Sequence, residues 1–213
     1  MRHTIFSITA LAVFAIGVTT WNARALAAEA QSSTGSTDPR IVAWMNRAIQ
    51  TGRKASAACD ADLTKAGMQE LLAASLLSSD PDFSKEILIT NNAIDVVKNN
   101  CDTYAEDAWK EVMQDFHLLG LSAAEEGSIL PGIEAGYRNG GTEARDHLTG
   151  YLEDVRDFLQ FLQSSGAKWQ GPGKGYLYPT DADALKAKDL ESRVMTARKA
   201  LLEAPNPATL AVR

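Results

Sequence analysis

Carboxylates and imidazoles are the groups in this chain best placed to move protons. Glu125 and Glu126 are adjacent, Glu134 follows on the same segment, and His117 and His147 lie on either side. Glycan hydrolysis needs two carboxyls about 5–9.5 Å apart across a cleft, one with a raised pKa. Neighbouring glutamates on a helix point in different directions. Ser122-x-x-Glu125 also reads as a capping box, which ties Glu125 to the backbone. These residues still define the enzymatic alternative, a cell-wall or polysaccharide hydrolase using Glu125, Glu126 or Glu134 with His117 or His147. The pattern assigns no catalytic residue.

Other chemistries fit less well. Gly127-Ser128 lacks the Gly-x-Ser-x-Gly turn of a serine nucleophile. Glu143 precedes His147 by one helical turn, with Asp146 and Asp154 on the same helix. This matches neither His-Glu-x-x-His nor Glu-x-x-His, so no metal site is expected. Cys-x-x-Cys-His is absent, which removes covalent haem attachment, and no other cofactor is expected. Gly173-Lys174 resembles a phosphate cradle only superficially: Gly175 follows where Ser or Thr is needed, and Lys168 stands where the leading glycine belongs.

The segment from Gly166 to Pro179 is the richest in contact residues. Trp169, Tyr176 and Tyr178 are large amphipathic side chains, and Lys168 and Lys174 place positive charge on an acidic molecule. Loops of this length often bind, and aromatic residues are enriched where protein interfaces are strongest. These five residues form the candidate binding set. The structural alternative is that the aromatics fold back and cover one end of the helices.

The elements that must position these groups read as helices throughout. Asp38-Pro39 opens the first, with a buried stripe of Ile41, Met45, Ala48, Ile49, Gly52, Ala55 and Cys59. Leu71, Leu72, Ser75 and Leu76 mark a second, ending at Ser78-Ser79-Asp80-Pro81, which also caps the third. There Phe83, Ile87, Thr90, Ile94, Val97 and Cys101 form a seam. Asn99-Asn100 is expected to weaken it, and Thr103-x-x-Glu106 to restart it. Ser122 starts another helix, with a kink or break expected at Pro131-Gly132 and an end at Asn139-Gly140-Gly141. Thr142 is expected to cap the helix carrying Leu148, Tyr151, Leu152, Val155, Phe158, Leu159 and Leu162, which stops at Gly166. The last runs from Thr180 to about Glu203. No stretch alternates convincingly as a strand. The fold class is all-α, a bundle of six to seven helices over 38–204, with 205–213 a loose tail.

Cys59 and Cys101 are the only cysteines and pair most simply as one disulfide. With short links and a rise–descend–rise path, they meet if helix one breaks beside Cys59 and helix two starts at Asp60. The chain start explains why they would oxidise. Arg2 and His3, the apolar run Ile5–Val18 and the small residues Ala25, Ala27, Ala28 and Ala30 read as a secretory signal, residues 1–27, cut after Ala27 or Ala30. A polar leader, 28–37, follows. The mature chain is therefore expected to be periplasmic or secreted, with no stable membrane anchor after cleavage. The net charge of −6 disfavours nucleic acid, which calls for basic patches. The expected function is a non-enzymatic binding protein, monomeric or homodimeric, acting on another extracytoplasmic protein as inhibitor, immunity factor, chaperone or assembly accessory. A small-ligand carrier is a further alternative.

Overall fold

The computed structural model describes residues 38–72, 82–137, 141–170 and 175–203. The expected signal, leader and tail lie outside the described residues, as do Ser78-Ser79-Asp80-Pro81, Asn139-Gly140 and Lys174. The first helix, α1 (Pro39–Lys65), starts as expected: Pro39 needs no partner for a missing N–H, and the Asp38 carboxylate accepts from Arg40 N at 2.8 Å.

The expected break beside Cys59 is overturned, because α1 runs on through it to Lys65. Its end is set at Gly67, whose φ of 89° suits glycine. A short α2 (Met68–Leu72) follows. Then α3 (Ser84–Asp95), a π-helical turn (Val96–Cys101) and α4 (Asp102–His117) join end to end, with helical backbone at both junctions. They make one rod of roughly 50 Å at about 1.5 Å per residue. This rod runs antiparallel to α1, so that Trp44 meets Val112, Thr51 meets Glu111 and Asp62 meets Asn100 in turn. Cys59 and Cys101 fall opposite each other on that ladder, and the disulfide forms with Cα atoms 4.9 Å apart. A rise–descend–rise path would point helices one and three the same way; they oppose, so no break is needed.

The restart at Thr103 is likewise overturned. The Asn99-Asn100 weakness is absorbed as a widened turn: Asp102 N–H donates five residues back to Val97 O, and Thr103 Oγ1 donates to Asn99 O at 2.6 Å. The third helix starts at Ser84 rather than Pro81, after Phe83 in the left-handed region at φ 50°.

Next come α5 (Ala123–Tyr137), α6 (Glu143–Ser165) and α7 (Asp181–Glu203). The Ser122 capping box forms, with Glu125 Oε2 accepting from Ser122 N at 2.7 Å. No break occurs at Pro131. Pro131 removes one N–H from the helical ladder and crowds the Gly127 carbonyl, and Gly127 is exposed, so that carbonyl can turn to solvent. Thr142 makes no capping bond, because its backbone is already helical. Gly166 ends α6 at φ 68°, and Thr180 caps α7 through Asp183 N at 3.1 Å. Between them lies a departure from the all-helical pattern, a two-stranded hairpin of β1 (Lys168–Trp169) and β2 (Tyr176–Leu177) where no strand was expected.

The fold is all-α, with six helices among the described residues when the rod is counted once and α2 is included. The rod serves two cores. Its second half packs with α1 and α5 around Trp44, Phe116, Ile129 and Ile133. Its first half packs with α2, α6, α7 and the hairpin around Phe83, Ile94, Leu152, Leu162 and Tyr176. Lys98–Glu153 and Arg145–Asp102 pairs, both 2.6 Å, track the antiparallel course of α6 along the rod. No helix among the described residues is long and apolar enough to cross a membrane.

Candidate functional site

The hairpin pairs Lys168 with Leu177 and Trp169 with Tyr176. Cross-strand partners share a face, and successive residues alternate, so the two faces have separate tasks. The outward face shows Lys168 and Leu177, the latter 57% exposed. Trp169 is half-buried, Tyr176 is buried at 5% exposure, and Tyr178, two residues on, is half-buried again. Gln170 N–H donates to Gly175 O at 2.8 Å and closes the pair, with Gly175 at φ 64°, a backbone region that suits glycine.

The inward rings form a continuous chain. Tyr176 lies 5.0 Å from Trp169, 6.1 Å from Phe83 and 6.5 Å from Tyr178, centroid to centroid, and Tyr178 stacks on Phe161 at 6.3 Å. At the far end Lys186 Nζ sits 5.1 Å from the Phe161 centroid. Gln163 fixes the base by donating to Asp82 and Ser84 at the start of α3. Thus the aromatics do cover one end of the helices, while Lys168 remains in solvent.

Two carboxyls stand beneath this cover. Glu86, three residues on from Phe83, is 2% exposed, and its Oε2 has no hydrogen-bond partner among the described residues. Glu191 of α7 is half-buried, and burial raises its pKa. Burial, with the neighbouring Tyr178 and then Glu86 charges, pushes the Tyr176 phenol well above its usual range. Burial and then Glu191 push Tyr178 up to about 12.

The enzymatic candidates are placed apart from this cluster. Glu125 accepts from Ser122 Oγ and N, which lowers its pKa, the opposite of what a general acid needs. Glu126 lies 3.7 Å from His117 Nδ1 on an exposed surface. Glu134 and Glu143 are exposed and His147 is half-buried. Asp154 holds Arg193. Among the described residues no group of three His, Cys, Asp or Glu could hold a metal ion.

Sequence reasoning missed Phe83's strained turn, Glu86, Phe161 and Leu177. The Glu86 signal was present: Phe83, Glu86, Thr90, Ile94 and Val97 step by threes and fours, so the glutamate occupies the seam and Ile87 its flank. Compared with known proteins, the chain matches no protein family, no curated protein and no solved structure.

Proposed function

We propose that this is an exported, non-enzymatic binding protein whose hairpin engages another extracytoplasmic protein. The observation that carries the reading is the division of the hairpin: rings below lock it to the helices, leaving Lys168 and Leu177 outside on a fixed scaffold. An apolar side chain beside a cation, held rigidly, loses little conformational entropy when covered by a partner. The buried disulfide supports an oxidising location, where such bonds persist. Glu125, tied up as a cap, weighs against the hydrolase.

The test immobilises the chain without residues 1–27 and challenges it with extracytoplasmic extract. Wild type retains a protein that Leu177→Asp and Lys168→Glu release, while the melting temperature holds. Retention unchanged in both variants, or recovery of a lipid or small molecule and no protein, refutes the proposal.

A further inference from the structure

We infer that α5 is a flap: it undocks as a unit, opening an apolar trough while α1 and the rod beneath it stay joined. Local opening starts where few apolar side chains are buried and the backbone is weakly helical. Both conditions meet in α5. Its buried residues are Ile129 and Ile133, one helical turn apart, with Leu130 half-buried beside them. The preceding α4, of similar length, buries Ala105, Ala108, Val112 and Phe116. On α5 the residues Ala124, Gly127, Ser128, Pro131 and Glu134 are exposed. Gly127, Gly132 and Gly136 lower its helix propensity, and Pro131 removes an N–H from its ladder.

The ties at its ends allow the motion. Glu126 meets His117 Nδ1 at 3.7 Å on an exposed surface, where ion pairs contribute little. The Ser122 capping box bonds the first turn to itself, so α5 carries its own cap when it moves. Leu119 stays behind, its carbonyl accepting from Arg40 at 3.1 Å. Bending therefore falls at Gly120, which is exposed at φ 63° with nothing within 4 Å of where a side chain would stand. At the far end Tyr137 stacks on Trp109 at 4.4 Å and marks the pivot.

The trough keeps its walls without α5. Trp44 Nε1 donates to Val112 O, Arg47 to Asp115 and Thr51 to Glu111, each at 3.0 Å. The disulfide joins the same two elements farther along. Two helices cannot enclose a core between them, and α5 supplies the third side of the cluster around Trp44 and Phe116. Undocking bares that cluster and leaves α1 on the rod.

The test is native-state hydrogen exchange of the intact chain at neutral pH, read by segment with mass spectrometry. Amides of 127–136 are expected to exchange at least about tenfold faster than those of 48–59 and 108–116. Gly127→Ala places a methyl in open space and should slow exchange in α5 about fivefold, leaving α1 and the rod unchanged. Ile133→Ala should speed α5 at least about tenfold with the same restriction. Should Ile133→Ala not fold, Gly127→Ala alone decides. Equal protection of α5 and the rod in wild type, or variants that shift all three segments together, overturns the flap. The hairpin belongs to the other core, so this result and capture at Leu177 are independent.

Discussion

Replacing both cysteines, Cys59→Ala with Cys101→Ala, measures how far the crosslink stabilises the fold. The bridge joins residues separated by 42 positions. In the chain-entropy account, closing a loop of that size removes about 4 kcal/mol of freedom from the unfolded chain. The Cα atoms are 4.9 Å apart, one in α1 and the other at the end of the π-helical turn, so the native ladder meets the bridge at an ordinary spacing. For a protein of this size about 1 kcal/mol moves the midpoint by roughly 2–4 °C, so the double variant should melt about 8–16 °C lower. The assay is thermal unfolding by circular dichroism at neutral pH without reductant. Because the two cysteines are 3% and 2% exposed, mild reductant should leave the folded wild type oxidised and act only once it unfolds. A drop below about 4 °C would refute the reasoning from loop size.

Four further outcomes follow from the geometry. Tyr176→Ala should destabilise by about 3–5 kcal/mol, as for other buried aromatic truncations, whereas Leu177→Ala on the outer face should stay within about 0.5 kcal/mol in chemical denaturation. Deleting Asn99 should convert the widened turn to regular helix, leaving both flanking faces in phase and the disulfide formed; free thiols in the purified variant would contradict this. Asp62 accepts from Lys65, Asn100 and Tyr104, which holds its pKa below the usual range. A depressed carboxylate stabilises above its unfolded pKa and ceases to as pH falls, so Asp62→Asn should lower the melting temperature at pH 7 and differ less from wild type as acid is added below about pH 4. In alkali the sign reverses: burial raises Tyr151 and Tyr178 to about 12 and Tyr176 further. Their stabilisation is intact below about pH 10 and lost as pH climbs through the folded values. Tyrosinate absorbance at pH 11 should therefore be less than roughly half that of the denatured chain.

Much of this architecture is written in local pattern. Helix spacing, the Asp38, Ser122 and Thr180 caps and the Gly166 stop depend on neighbours within a turn, and each appears where the residues put it. The misread features depend on distant contacts. Whether helix one breaks at Cys59 is decided by the direction of the rod, which local spacing does not encode. Whether Asn99-Asn100 ends a helix depends on Asp62 accepting from Asn100 at 2.9 Å across the interface. The short strands were invisible because two residues are too few to show alternation. At the candidate site the aromatic residues were legible and their inward direction was not. Glu86 was passed over because an acid in an apolar seam breaks the rule that patterns are read by, even though its spacing kept the rule.

The covalent tie between α1 and the rod encloses every residue from Asp60 to Asn100. A protease that cut once inside that stretch would not release a fragment: the halves would migrate together on a non-reducing gel and separate after thiol treatment. Wherever peptidases are common, such a nicked molecule would keep both of its pieces.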